Sequence, residues 1–120
     1  MAAVLALLVA LTPVEAPNGA WCSTFHVTGY SSDAHPGRTA DGTPTKDNEW
    51  TLASVDPRVV PLQSRITIPS LIEEWDIGEL RAADTGGGVR GLWIDVLTVT
   101  DAQAYRVTGP RLACIKGAYE

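Results

Sequence analysis

Residues 84–95 read DTGGGVRGLWID, in which two aspartates enclose three consecutive glycines. Asp84 ends the apolar run LRAAD, and Asp95 lies inside the apolar run WIDVLTV. Short apolar runs bounded by glycine are typical of β-strands joined by turns. The glycines carry no Cβ and can adopt positive φ, so we expect them to form a sharp turn that a flat ligand can approach closely. They are Gly86, Gly87 and Gly88.

Further short β-type runs occur along the rest of the chain. Predicted strands cover residues 21–30, 50–55, 65–68, 80–83, 92–99 and 111–115. Residues 31–48 are rich in Ser, Asp, Gly, Pro and Thr, which predicts a long ordered loop. Only residues 71–75 and 101–105 could be helical, and Asp101 could cap the second of these segments. About six short strands in one domain favour an all-β fold, either a small closed barrel or a sandwich.

Composition limits the classes of partner. A chain of 120 residues supports one domain, and its 14 acidic residues outnumber 9 Lys and Arg to give a net charge of −5. Such a surface offers no basic stripe for phosphates, so nucleic acid is not an expected partner. The glycine run also lacks both GxGxxG and the Walker lysine, so it does not indicate a nucleotide site.

The N-terminus carries the apolar block MAAVLALLVAL at residues 1–11. The block is shorter than the roughly 20 residues of a membrane-spanning helix and has the length of a signal-peptide core. We therefore expect residues 1–20 to be a signal peptide and residues 21–120 to form a single exported domain without a membrane span. The alternative is an uncleaved anchor or a buried N-terminal helix.

Two cysteines, Cys22 and Cys114, lie near opposite ends of that domain. A bond between them would close a loop of about 90 residues and stabilise the fold by on the order of 4 kcal/mol. Two free thiols are the alternative. Because the chain has no CxxC pair, we expect no metal and no cofactor. Of the two separate histidines, His26 is predicted to be a strand residue and His35 a solvated loop residue.

Three aspartates stand at the ends of, or inside, apolar strands. By the period of two, Asp95 shares a face with Trp93 and Leu97, and Trp93 is expected to belong to the core. A partly desolvated carboxyl group has a raised pKa, as a general acid near neutral pH requires. For Asp56 and Asp84, capping a turn or accepting backbone N–H groups is an equally good explanation.

An ordered series of short motifs gives these residues a family. The motifs resemble those of the three-aspartate domain, a double-psi β-barrel related to the catalytic barrel of membrane-bound lytic transglycosylase A. This resemblance implies an all-β fold, a small six-stranded double-psi β-barrel with one or two short helices. The motifs are VTGY (27–30), RTADGT (38–43), ASVDP (53–57), VVPL (59–62), AADTGGGVRG (82–91) and WIDV (93–96).

The resemblance also implies roles for single residues. Asp95 matches the proposed catalytic acid/base, and Asp84 and Asp56 match the aspartates that shape and polarise the catalytic site. The sequence departs from the family pattern at Gln63, where glycine is usual, and at Arg90, where lysine is usual. The expected substrate-binding residues are Thr28, Tyr30, Thr39, Thr85, Gly86, Gly87, Gly88 and Arg90.

The expected activity is lytic cleavage of the MurNAc–GlcNAc bond of bacterial peptidoglycan by a secreted, periplasmic or wall-associated monomer. Ordinary hydrolysis is a neighbouring possibility. A different class of function is a non-catalytic module that binds wall polysaccharide through aromatic side chains. Because the chain is too short to supply the second wall of a substrate groove, a partner protein could complete that groove.

Overall fold

The structure is a computed structural model that describes residues 14–15 and 19–117. Seven strands and two short helices follow one another within these residues. They are β1 (Val14–Glu15), β2 (Trp21–Ser31), β3 (Leu52–Val55), β4 (Arg65–Thr67), α1 (Pro69–Trp75), β5 (Leu80–Thr85), β6 (Trp93–Thr98), α2 (Asp101–Arg106) and β7 (Gly109–Lys116).

Six of the strands close into a barrel in the order β2-β6-β3-β5-β4-β7, and β7 pairs back to β2. The pairs β2/β6 and β3/β5 are parallel, and the other pairs in the ring are antiparallel. Strand β1 adds to the start of β2, outside the ring. The predicted all-β fold, a small six-stranded barrel with two short helices, is confirmed, and the strand order is compatible with a double-psi arrangement.

Alternating residues of the strands fill the barrel. In β6, for example, Ile94 and Val96 are fully buried in the main core, together with Phe25 and Val27 of β2. Burial of each large aliphatic side chain contributes roughly 1.5–3 kcal/mol, so this interior is the main source of stability. The predicted strand limits hold to within a few residues because the short apolar runs end at turn-forming residues.

A second, smaller apolar cluster lies on the opposite face of the same strands. Leu52, Ala83 and Leu97 are buried there, and Tyr30 packs against them. These residues alternate with the inward-facing ones, so they lie outside the barrel wall. This cluster, which we call the outer cluster, shields one patch of the barrel exterior from solvent.

Cys22 and Cys114 form a disulfide between paired positions of β2 and β7. The structure therefore selects the bonded alternative over two free thiols. Disulfides persist in oxidising compartments, so the bond points to an extracytoplasmic environment. The predicted signal peptide falls almost entirely on residues outside the described ones. In the described part of the chain, no helix has the length and hydropathy needed to cross a bilayer.

Helix α2 begins differently from the sequence-based expectation. Thr100, not Asp101, is the N-cap, because its hydroxyl accepts the Gln103 N–H while the Gln103 side chain accepts the Thr100 N–H. The helix then packs very close to β2. A Cβ placed on Gly29 would lie 2.5 Å from the Cα of Ala104, so only glycine fits that crossing.

Candidate functional site

A row of four polar residues crosses four neighbouring strands of the barrel wall. In register, Asp84 of β5 pairs with Ser54 of β3, Ser54 pairs with Asp95 of β6, and Asp95 pairs with Thr28 of β2. Adjacent strands lie about 4.8 Å apart, so the backbones of Asp84 and Asp95 are separated by about 10 Å. We call these four residues the polar row.

A β-bulge brings Asp84 into this row. Ala53 pairs with Ala82, but the next residue, Ser54, pairs with Asp84, so Ala83 is left as the extra residue. Because successive side chains point to opposite faces, regular pairing would turn Asp84 toward the interior. The bulge places Ala83 in the outer cluster and Asp84 beside it on the same side of the wall.

The two aspartates line a cleft of about 490 Å³, which we call the acid cleft. Its floor is the barrel wall, and its side is the long loop that follows β2. It is lined by Gly29, Tyr30, His35, Pro36, Arg38, Thr45, Ser54, Asp84, Thr85, Gly86 and Asp95. His35 is exposed, as expected for a solvated loop residue, and it also lines the cleft.

Asp95 is half-buried in this cleft and accepts a hydrogen bond of 2.8 Å from the Thr28 hydroxyl. Burial raises the pKa of the Asp95 carboxyl above its ordinary value, and the charge of Asp84 adds to the effect. The Thr28 hydrogen bond and the charge of His35 oppose that increase without cancelling it. No backbone N–H of the described residues bonds to Asp95, so its carboxyl group is held on one side only.

A relay of hydrogen bonds orients that carboxyl group. The Trp93 indole N–H donates to the Thr28 hydroxyl oxygen at 2.8 Å. The indole can only donate, so the hydroxyl of Thr28 must direct its own hydrogen to Oδ1 of Asp95. Oδ1 is therefore always an acceptor, and a proton on Asp95 belongs on Oδ2. Trp93 is half-buried and packs edge-on against the His26 ring at 4.6 Å, so its expected place in the core was wrong.

Tyr30 contributes an unused hydroxyl group to the same cleft. Its hydroxyl oxygen is buried, and no described side chain meets it with good hydrogen-bond geometry, although Ser54 and Asp84 lie near enough to affect its pKa. Burial is the main cause that raises the pKa of Tyr30 to about 12. The neighbouring Ser54 opposes this increase, and the charges of Asp84 and Asp95 add to it. The hydroxyl thus keeps its proton near neutral pH and can donate to a ligand.

Asp84 both lines the cleft and anchors the loop beside it. Its Oδ1 accepts the backbone N–H groups of Ala40 and Thr85, each at 2.9 Å. The Asp41 N–H also reaches the Ala83 carbonyl oxygen at 3.0 Å. One oxygen of Asp84 therefore accepts backbone N–H groups, as the alternative explanation of this residue expected. These bonds fix the long loop to the end of β5.

Asp56 lies outside the acid cleft and is the most completely bonded of the three aspartates. The Arg58 guanidinium donates to its carboxylate twice at 3.1 Å, and the N–H groups of Arg58 and Gly91 add bonds of 3.0 and 2.8 Å. The Arg58 bonds, followed by that of Gly91, hold the pKa of Asp56 well below its usual range. The residue therefore anchors the turn before β6 as a carboxylate.

The glycine triplet forms a turn, but without the expected backbone conformation. The Val89 N–H bonds to the Gly86 carbonyl oxygen at 3.0 Å, and none of the three glycines has a positive φ. The positive φ of this segment belongs to Gly91, at 70°. A Cβ on Gly87 or Gly88 would meet no atom within 4 Å. Neither backbone strain nor crowding within the chain therefore explains these two glycines.

The other expected substrate-binding residues occupy three different places. Thr28, Tyr30, Thr85 and Gly86 belong to the polar row or the acid cleft. Gly87 and Arg90 line a second cleft, described below. Thr39 is buried inside the loop, where its hydroxyl donates to Asp41 at 2.7 Å, and it does not line the acid cleft.

Sequence reasoning did not single out Asp41, although it organises the loop beside the acid cleft. Its carboxylate accepts bonds from Thr39, Thr43, Gln63 and Arg81. Burial acts to raise the pKa of Asp41, but the bonds from Thr39, Gln63 and Thr43 outweigh it and hold the pKa well below its usual range.

Gln63, the departure from the family pattern, takes the left-handed conformation that glycine favours, with φ of 76°. The local turn therefore persists without glycine, and the Gln63 amide gains a bond of 2.8 Å to Asp41. Because the resembled family usually has glycine at this position, that glycine was the signal that could have revealed the positive φ of Gln63.

Within residues 14–15 and 19–117, no group of three or more potential metal ligands lies together. No family model matches the sequence, and no curated protein matches it significantly. The function is therefore argued from the site itself.

Proposed function

We propose that this protein is a lytic transglycosylase of the three-aspartate, double-psi barrel type that cleaves the MurNAc–GlcNAc bond of peptidoglycan. The observation that carries the proposal is Asp95. It is a half-buried carboxyl group with a raised pKa, fixed through one oxygen by Thr28 and facing a cleft. A raised pKa favours the protonated form, which a general acid needs in order to deliver a proton to a bound ligand.

The reaction needs one principal carboxyl group. Oδ2 of protonated Asp95 gives its proton to the glycosidic oxygen as the bond from that oxygen to C1 of MurNAc breaks. The resulting Asp95 carboxylate then accepts the proton of the C6 hydroxyl, and the C6 oxygen attacks C1. The products are a 1,6-anhydro sugar and a free GlcNAc end, and Asp95 is again protonated. No water is consumed.

Neighbouring groups would stabilise the charges that develop. Proton transfer by a positioned group contributes roughly 10²–10⁴-fold, so electrostatic stabilisation must provide much of the remaining rate. The Asp84 carboxylate in the same cleft can stabilise a positively charged sugar, and the unpartnered Tyr30 hydroxyl can donate to a sugar oxygen. If Asp84 instead activated a water molecule, the same site would hydrolyse the bond.

The competing function is a binding module without turnover. Such a module presents aromatic rings to sugars, but Trp75 stacks on Trp50 at 5.0 Å and carries the Arg106 guanidinium 5.2 Å from its ring centre. The Trp75 ring is thus used in packing. The polar row, in which the pKa of Asp95 is raised, favours the enzyme.

Digestion of purified peptidoglycan, followed by mass analysis of the released muropeptides, tests the proposal. The wild-type protein should release anhydro products, and Asp95→Asn should lower the rate by at least roughly 10²-fold because it cannot supply the proton. Asp33→Asn is a matched control, since Asp33 is exposed and does not line the acid cleft.

The products separate the possible outcomes. Water-added products that depend on Asp95 would show that the reaction is hydrolysis and would reject lytic cleavage. Binding of glycan by the wild type and by Asp95→Asn, with no release by either, would reject the enzyme and leave the binding module. Equal rates for the wild type and Asp95→Asn would reject Asp95 as the acid.

A further inference from the structure

A second cleft of about 320 Å³ adjoins the acid cleft. Gly86 lines both, so the two clefts meet at the glycine turn. We call the second one the basic cleft. Its lining residues are Asp56, Pro57, Arg58, Gly86, Gly87, Val89 and Arg90.

The two clefts differ in their charged side chains, and the acid cleft combines Asp84 and Asp95 with His35 and Arg38. In the basic cleft, Arg58 and Arg90 face a single carboxylate, Asp56, which leaves one positive charge in excess. Arg58 is committed to Asp56, although its side chain is 74% exposed. Arg90 is exposed, and its Nε donates a hydrogen bond of 3.1 Å to the Gly87 carbonyl oxygen. That bond leaves the two terminal nitrogens as donors and points Arg90 back over the turn.

The passage between the clefts is open. A Cβ on Gly87 would meet no atom within 4 Å, and Gly87 itself has none. At Gly86, in contrast, a Cβ would lie 3.0 Å from a methyl group of Val89. A ligand seated at Asp95 can therefore continue over Gly87 beside the Val89 side chain, which gives Gly87 a reason that the fold does not supply.

We propose that the basic cleft is a subsite for the carboxylate groups of the peptide stem carried by MurNAc. This inference rests on the proposed function and specifies its substrate as peptide-bearing glycan. A guanidinium group pairs with a carboxylate through parallel N–H donors. In the acid cleft the Arg38 guanidinium lies beside Asp84, whereas the basic cleft has one guanidinium more than it has carboxylates. The excess positive charge of the basic cleft therefore favours the stem at Arg90, with the glycosidic oxygen at Asp95.

Binding measurements in the Asp95→Asn background test the subsite without requiring turnover. The probes are soluble glycan fragments with intact peptide stems and the same fragments after the stems are removed by an amidase and the lactyl carboxylate that this exposes is converted to an uncharged amide. The peptide-bearing fragments should bind about tenfold more tightly at low salt, as expected for a hydrogen-bonded charge pair. Added Arg90→Gln should abolish this preference, whereas Arg90→Lys should retain most of it.

Lys46→Gln is the matched control, because Lys46 is an exposed cation outside both clefts. It should leave the preference for peptide-bearing fragments intact. Equal affinity for the two fragments, or a preference that survives Arg90→Gln, would overturn the subsite even if the wild type cleaves glycan. Lack of cleavage with a preference that depends on Arg90 would instead reject the proposed reaction and keep the subsite.

Discussion

The three aspartates show how surroundings decide what one side chain can do. Asp56 receives a guanidinium and two backbone N–H groups, and its pKa lies well below the usual range. Asp95 receives a single hydroxyl group and is half-buried, and its pKa is raised. The same chemical group is therefore held in the ionised form in one place, whereas in the other its surroundings favour the protonated form.

Removal of the Thr28 hydroxyl should shift the pH dependence of the reaction. A general acid must be protonated, so the rate falls as pH rises through the pKa of Asp95. The Thr28 hydrogen bond favours the ionised form, so its loss in Thr28→Val raises that pKa further. The fall in rate should therefore move to higher pH, and the rate should drop less than in Asp95→Asn. A pH–rate profile of glycan cleavage measures both effects.

Controls for this prediction follow from the relay. Thr28→Ser keeps the hydroxyl and should keep the wild-type profile, while Trp93→Phe removes the donor that orients Thr28 and should shift the profile in the same direction as Thr28→Val. His35, Asp84 and Tyr30 also face Asp95, and these variants leave them unchanged. A Thr28→Val profile that is unshifted or moves to lower pH would contradict the role of Thr28.

At the scale of elements, the sequence predicted the strands well and their exceptions poorly. Each of the six predicted strands appears in the barrel, because short apolar runs bounded by turn residues specify buried strands. The bulge that leaves Ala83 extra was not predicted, since regular and bulged pairing have the same hydrophobic pattern up to that residue. The N-cap of α2 also differed from the prediction. Thr100 and Asp101 are both good N-cap residues, and the position of Gln103 decides between them.

The crossing of α2 over β2 predicts a severe effect at Gly29. In Gly29→Ala, the added Cβ would lie 2.5 Å from the Cα of Ala104, so the helix must move away from the strand. Overpacking of this kind costs about 1–3 kcal/mol, and each kcal/mol lowers the melting temperature of such a small domain by about 4–8 °C. Thermal unfolding followed by circular dichroism measures the decrease.

Gly87→Ala is the matched control for that substitution. Its Cβ would meet no atom within 4 Å, and Gly87 does not have a positive φ. The melting temperature should therefore stay within about 4 °C of the wild type, because substitutions at exposed sites change the free energy of unfolding by less than about 0.5 kcal/mol. A stable Gly29→Ala variant would show that α2 can shift without cost.

At the scale of the molecule, the sequence could suggest the candidate site but not its geometry. The ordered motifs pointed to Asp84 and Asp95 as residues of one catalytic site, without a distance between them. Their actual relation depends on β3, which lies between β5 and β6 and inserts Ser54 between the two aspartates. That strand comes from a distant part of the chain, so no local pattern reveals its position.

The disulfide acts on the whole barrel, because it joins the first strand of the ring to the last. Cys22 and Cys114 are 92 residues apart in sequence and occupy paired positions of β2 and β7. A link of this length mainly restricts the unfolded chain, so the double variant Cys22→Ala/Cys114→Ala should lose about 4 kcal/mol of unfolding free energy. Because the hydrogen bonds between β2 and β7 close the ring independently, we expect the variant to keep the barrel and the polar row. Urea unfolding of the variant and of reduced wild type should give matching midpoints, both below that of the oxidised protein. A loss below about 1 kcal/mol would mean that the unfolded chain is already compact enough to keep its ends together.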